Sequence, residues 1–216
     1  MNNVSARIQH LREDFSKAVL TENAAGTEPF VFFERWMNEA LDAQVLEPQA
    51  MALSTAVPGG RIASRMVYLR FAHNHNFSFY GNYNSLKGQH LNAHPHAALL
   101  FFWPELQRQI RIEGQVNQMP TEQSAKYFNE RPRGSQIGAW ASDQSQKLND
   151  RKQLENTEQI YLERFKNQDV PCPPFWGGWT LSACYYEFWQ GRPSRLHDRI
   201  AFELHNQQWL KNRLSP

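Results

Sequence analysis

The chain has 216 residues, 41% hydrophobic and 13% aromatic, enough to bury a substantial core as one domain or one domain with a helical appendage. A formal charge of +2 lacks the global basic field of a dedicated nucleic-acid binder, so any anion site must be local. Cys172 and Cys184 cannot form the disulfide framework of a small secreted domain, and neither a signal-peptide core nor a membrane-length apolar run is found; a cytoplasmic protein without membrane contact is expected.

Ile8, Leu11, Phe15 and Val19 recur at helical spacing and predict an amphipathic opening helix. After the break TENAAGTE, Pro29 is placed to open a second helix with Phe30, Phe33, Trp36, Met37, Ala40 and Leu41 on one apolar face. From Ala50 the texture turns to short β-like runs: AMALSTAV, a Pro-Gly-Gly turn, IASRMVYLRF, the turn HNHN, and FSFYGN. SLKGQHLNAH predicts a short helix, and HAALLFFW and QRQIRIEGQVNQM predict strands. Helices follow from Thr121 to Asn129, around Ser135 to Ala141, and from Asp150 to Phe165. A proline-rich connector, VPCPPFWGG, precedes strand character in LSACYYEFWQ and RIAFELH, with a turn near Gln207. About five or six strands over the stretch from Ala50 to Met119, at this spacing, favour a small barrel.

Four polar clusters interrupt these elements. Arg65 and Arg70 flank the apolar MVYL run. Ser85 and Lys87 stand at a helix start, where free N–H groups and the dipole favour phosphate. YFNERPRGSQIGAWASDQS supplies Tyr127, Arg131, Arg133, Ser135, Gln144 and Ser145. EFWQGRPSRLHDR, from Glu187 to Arg199, joins guanidinium groups suited to phosphate or carboxylate to an imidazole that exchanges protons near neutral pH. Singly, each reads as a solvated loop or a cap; together they point to a phosphorylated ligand. His90, His94 and His96 have metal-like spacing, but Pro95 breaks their helix and no cysteine or carboxylate cluster accompanies them. Surface histidines and no metal are expected, as for His73 and His75. No GxGxxG, P-loop or GxSxG motif is present.

The segments RMVYLR, FYGNYNSLKGQHLNAHPHAALLFFWPELQRQIRIEG, YFNERPRGSQIGAWASDQS, VPCPPFWGG and EFWQGRPSRLHDR resemble, in that order, the motifs of the pyridoxamine 5′-phosphate oxidase family, and the similarity spans essentially the whole chain. The resemblance implies a mainly β fold with flanking helices, an FMN-binding split β-barrel, as a single domain over 1–216. N-terminal helices would occupy about 5–45 and a dimerisation segment about 170–216. It further implies a homodimer with FMN at the subunit interface; the near-neutral charge argues against a nucleic-acid partner. The implied reaction is oxidation of pyridoxamine or pyridoxine 5′-phosphate to pyridoxal 5′-phosphate, with hydride passing from C4′ to the flavin and oxygen leaving as peroxide. The alternatives are a related flavin oxidase acting on another reduced ring, of the phenazine-precursor type, and a non-catalytic FMN- or pyridoxal-phosphate-binding protein.

By the same resemblance, Arg65, Met66, Val67, Tyr68, Leu69 and Arg70 form the strand lining FMN, continued by Tyr80, Gly81 and Lys87, with Lys87 the phosphate cation. Gln109 would contact the flavin ring, Gln144 and Ser145 form a further flavin pair, and Trp189 and Arg199 close the site. Tyr127, Arg131 and Ser135, together with Arg70, would hold the substrate; their spacing of four and four would share one helix face if Pro132 is tolerated. Arg195 and His197 are the implied catalytic pair over C4′, with Arg192 and Asp198 left as structural or solvent-facing residues. The chain departs from the family pattern at Arg70 (usually Lys), Leu86 (Arg), Gly81 (Thr) and Phe15 (Tyr); losing a phosphate-pairing cation at Leu86 predicts weaker FMN binding.

Overall fold

The computed structural model describes residues 15–57 and 59–216. They fall into two compact units, one drawn from the stretch ending at Pro48 with Leu100–Ile112 and Tyr185–Pro216, the other from Gln49–Leu99 and Glu113–Cys184.

In the first unit, Thr21 caps a short helix α1 (Glu22–Ala25), its hydroxyl accepting from the Ala24 N–H at 3.2 Å. Pro29 opens α2 (Pro29–Asp42) as expected, since the N–H it lacks would have had no helical partner there. Phe30, Phe32, Phe33, Trp36 and Ala40 are buried. Leu41 is 55% exposed, whereas Phe32, omitted from the expected face, lies 4.4 Å from the Phe188 ring. The strand beneath thus rotates the apolar stripe toward Phe32, and each such buried ring contributes roughly 1.5–3 kcal/mol. Strands β8 (Asp198–His205) and β9 (Gln208–Leu214) form a hairpin whose turn residues Asn206 and Gln207 have φ of 47° and 65°, matching the turn expected near Gln207.

The expected opening helix lies mostly outside the described residues, and its final part, from Phe15 onward, is not helical. Side chains take the N–H groups that a helix would use: Ser16 N–H donates to Gln107 Oε1 at 3.0 Å and Leu20 N–H to Asp198 Oδ2 at 3.0 Å.

In the second unit, β1 (Ala50–Thr55) pairs antiparallel with β2 (Ala63–Tyr68), and β3 (Phe71–His73) pairs with β4 (Asn76–Asn82) across Asn74 and His75, both at positive φ. Helices α3 (Leu86–Ala93), α4 (Thr121–Asn129), α5 (Arg133–Ala141) and α6 (Arg151–Arg164) belong here too. Phe128, Ile137, Phe165, Val170 and Trp176 form a local core among them. β5 (His96–Trp103), β6 (Arg108–Gln118) and β7 (Trp176–Gln190) run through both units. The strand order is β2-β1-β5-β6-β7-β4-β3, with β8 paired to β7 and β9 to β8.

Nine strands are thus described where seven strand-like runs were expected. The IASRMVYLRF run divides into β2 and β3, and QWLKNRL, given no strand character from its sequence, forms β9. Trp176, expected in the connector, already begins β7. Pro132 ends the proposed continuous helix, because it lacks an N–H and pushes Arg131 away from helical geometry. His90 is 5% exposed and its Nδ1 lies 3.2 Å from Thr55 Oγ1, so it is a core histidine rather than the surface one expected. Among the described residues no His, Cys, Asp and Glu group is placed to hold a metal, and no helix is long and apolar enough to cross a membrane.

Candidate active site

A cavity of about 860 Å³ opens in the second unit beside β2, β4 and α3. Arg65, Met66, Val67, Tyr68, Arg70, Tyr80, Gly81, Lys87, Tyr127, Arg131, Gln144 and Ser145 all line it. Leu69 is not on the lining; its N–H donates to the Gln49 carbonyl at 2.9 Å. Ser135 lines an adjoining cavity of about 270 Å³ that shares Arg131 and Gln144 with the larger one. Tyr127 therefore comes from α4, Arg131 from the link after it and Ser135 from the first turn of α5.

The lining is cationic. Among the described residues, Arg61, Arg65, Arg70, Lys87 and Arg131 contribute to it and no carboxylate does, an arrangement that favours an anion. Strand β2 supplies one wall and ends the strand order, so alternate backbone N–H and C=O groups on its outer side are not used in strand pairing. Arg65 is anchored through Nη1, which donates to the Leu53 carbonyl at 2.9 Å and to Thr55 Oγ1 at 2.8 Å.

Lys87 is 7% exposed and donates to Ser85 Oγ at 2.9 Å and to Gln144 Oε1. Burial, assisted by Arg65, lowers its pKa to about 8. The N–H groups expected to be free at the helix start are partly taken: Leu86 N–H donates to Ser145 Oγ at 3.1 Å and Gly88 N–H to Ser85 Oγ at 3.4 Å.

Arg131 is held by aromatic faces, its guanidinium carbon 4.6 Å from the Trp176 ring centroid and 5.4 Å from that of Phe128. Its Nη1 is buried and has no hydrogen-bond partner among the described residues. Such a group is costly unless a ligand satisfies it. Tyr80 stacks on Tyr127 with centroids 4.0 Å apart and on Trp176 at 5.5 Å, making an aromatic wall. Arg133, from the same cluster, is structural: it donates to the Gln168 and Phe165 carbonyls.

Gln109, Trp189, Arg195, His197 and Arg199 belong to the first unit. There Arg192 N–H donates to His197 Nδ1 at 3.1 Å, which leaves the proton of the neutral ring on Nε2. The imidazole packs on Trp189 at 4.6 Å and edge-on to Phe15 at 5.6 Å, and burial, with Arg195 nearby, lowers its pKa. Ser194 and Arg195 both have positive φ, 57° and 60°, a strained pair that persists only where its surroundings impose it. Arg199 is engaged by Glu187 at 2.8 Å and by the Ser215 carbonyl at 2.8 Å; Gln109 is half-buried on β6. Asp198 pairs with Arg213 at 2.8 Å and Arg192 at 3.5 Å, so Arg192 and Asp198 are structural.

Sequence reasoning missed Arg61, Ile62, Ala63, Ser64 and Trp176 on the lining. Arg61 follows the glycine turn and its charge was the available signal; Trp176 was hidden by the proline-rich stretch before it.

A strand framework of this order carrying an anion-attracting cavity defines a split-barrel protein. A pyridoxamine 5′-phosphate oxidase-related, FMN binding protein from Nostoc punctiforme has the same fold, with a TM-score of 0.69 at 15% identity over 88% of this chain and 99% of that one. PhzG from Burkholderia lata, solved in complex with tetrahydrophenazine-1-carboxylic acid, has a TM-score of 0.86 at 31% identity, covering 93% of this chain and all of its own.

Residues 37–160 match the family model described as pyridoxamine 5′-phosphate oxidase, and 176–216 match the pyridoxine 5′-phosphate oxidase C-terminal dimerisation region. A pyridoxine/pyridoxamine 5′-phosphate oxidase of Gloeothece citriformis is 47% identical over 97% of this chain and 98% of its own length; one from Burkholderia multivorans is 47% identical over 95% and 97%. The chain belongs to the pyridoxamine 5′-phosphate oxidase family. It is an oxidoreductase of that type, and its C-terminal segment points to a homodimer.

Proposed function

We propose that this protein oxidises pyridoxamine or pyridoxine 5′-phosphate to pyridoxal 5′-phosphate, using FMN and molecular oxygen and releasing hydrogen peroxide. The observation that carries this reading is the cavity whose described lining holds five cations and no carboxylate, one of the cations being the half-buried Arg131 with its buried, unpartnered Nη1. That donor set fits a phosphorylated cofactor beside a phosphorylated substrate.

Arg65, Lys87, Gln144 and Ser145 would hold the FMN phosphate end, and β2 from Met66, with Leu69 and Arg70 beyond it, would run along the flavin beside Tyr80 and Gly81. When bound, FMN supplies the hydride acceptor and returns the electrons to oxygen. Tyr127, Arg131, Ser135 and Arg70 would take the substrate phosphate. Ile62 and Met66, 77% and 65% exposed beside the cavity, suit burial by a second copy, in line with a site at a dimer interface. Gln109, Trp189 and Arg199 are assigned to the cofactor, and Arg195 and His197 to the substrate ring. Because His197 Nδ1 already accepts a hydrogen bond, its Nε2–H is suited to donate to a substrate oxygen, while Arg195 orients the ring.

Incubating the FMN-loaded protein with pyridoxine 5′-phosphate in air should yield aldehyde and peroxide; absence of both overturns the reading. The likeness to PhzG, with Arg70 and Leu86 in the cavity, favours a second reading, oxidation of another reduced ring. Flavin reduction by such rings but not by the vitamers would select it.

A further inference from the structure

Gly81 lies in β4, outside the left-handed region, so its backbone does not require glycine. A Cβ built there would stand 2.6 Å from Lys87 Cε and 2.8 Å from Lys87 Nζ. The next atom, a ring carbon of Trp179, is at 3.5 Å, an ordinary contact. The sole severe obstacle to a side chain at position 81 is therefore the end of Lys87. That end fills the space a residue with a Cβ would occupy.

We propose that Gly81 is a positioning residue: it forms a socket in which Lys87 rests its ammonium against Ser85 and Gln144, so that the lysine must leave partners within its own chain to meet an incoming phosphate. The inference rests on the reading of Lys87 as the cation for the FMN phosphate and goes beyond it in assigning the resting state and its cause. Both residues line the cavity, so an ammonium displaced from the socket moves into the space where a phosphate would lie.

The groups facing Lys87 are Arg65 from β2, the Trp179 ring from β7 with its centroid 5.9 Å from Nζ, and the neutral Ser85 and Gln144. His90, one turn further along α3, is turned to Thr55. Among the described residues no carboxylate lines this cavity, so desolvation and Arg65 act unopposed on the ammonium.

Gly81→Ala tests the socket with two readouts. In the ligand-free protein, the Lys87 side-chain resonance, assigned by its loss in Lys87→Ala, should titrate near 8 with Gly81 and at least about one unit higher with alanine, as the ammonium regains solvent. FMN, followed by quenching of its fluorescence, should bind about three- to tenfold tighter to Gly81→Ala, since one or two neutral hydrogen bonds no longer compete. In a Lys87→Ala background the same substitution should change nothing. An unmoved midpoint with unaltered affinity overturns the socket while leaving FMN binding intact. A moved midpoint in a protein that binds no FMN upholds the socket and sinks the cofactor reading. Should Gly81→Ala not fold, folding of the double variant with Lys87→Ala supports the clash, and failure of both refutes it.

Discussion

The Arg131 guanidinium carbon lies 4.6 Å from the centroid of the Trp176 ring, and its Nη1 is buried without a hydrogen-bond partner. A cation positioned by an aromatic face rather than by a carboxylate keeps its capacity for an anion. Replacing it should therefore be felt in binding more than in folding.

Arg131→Gln should weaken pyridoxal 5′-phosphate binding tenfold or more, the equivalent of about 1.5–3 kcal/mol for a charge-assisted hydrogen bond. Arg131→Lys should recover only part of this, because a point charge does not reproduce the planar fork. Equilibrium dialysis of the three proteins measures both effects.

Arg195→Ala and His197→Ala should lower turnover more than they loosen FMN, while Lys87→Ala should do the reverse. Turnover at saturating FMN, set beside flavin retained after gel filtration, separates the two classes. Equal flavin loss in all three variants would refute the division of roles.

His197 should titrate below the ordinary histidine value of 6.5, because burial and Arg195 disfavour its charged form. Its folded pKa is depressed, so its contribution to stability is present above the unfolded value and lost as pH falls through the folded one. The neutral ring then persists through neutral pH, and turnover that depends on it should fall only on acidification. A midpoint above 6.5 for the imidazole resonance missing in His197→Ala contradicts this.

Glu187 is a buried carboxylate between Arg111 at 2.7 Å and Arg199 at 2.8 Å. Burial raises its pKa, but the hydrogen bonds from Arg199 and Arg111 outweigh it and the net shift is downward. The resulting stability is present above the ordinary glutamate range and disappears as pH falls through the lowered pKa. Glu187→Gln should cost about 1.5–3 kcal/mol at neutral pH, below the full loss of a buried pair because both arginines are partly exposed. Urea unfolding at neutral and at acid pH should show the difference between the two proteins shrinking on acidification.

Hydrophobic period and turn residues made much of the fold legible. Pro29 opens α2, HNHN forms the β3–β4 turn, and the alternation in QRQIRIEGQVNQM becomes β6. The errors came where a tertiary partner set the outcome. Phe32 replaced Leu41 in the core because Phe188 lies beneath it, and the stretch from Phe15 to Leu20 left the helix pattern because Gln107 and Asp198 take its N–H groups. His90 is buried because Thr55 provides a polar partner.

For the site, the sequence by itself determined the chemistry: arginines and a lysine of fixed charge, phenol and indole rings, and Pro132, which has no N–H and so divides α4 from α5. Those properties belong to single residues and their neighbours in the chain. Which cation is committed and which is available was decided only by tertiary structure, since it depends on atoms distant in sequence. Arg199 is paired by Glu187, Lys87 rests on Gln144 over Gly81, and Arg131 is left with an unpartnered Nη1 beside Trp176. A charge can be read from a side chain's formula, but the hydrogen bonds that occupy it come from whatever the fold brings within about 3 Å.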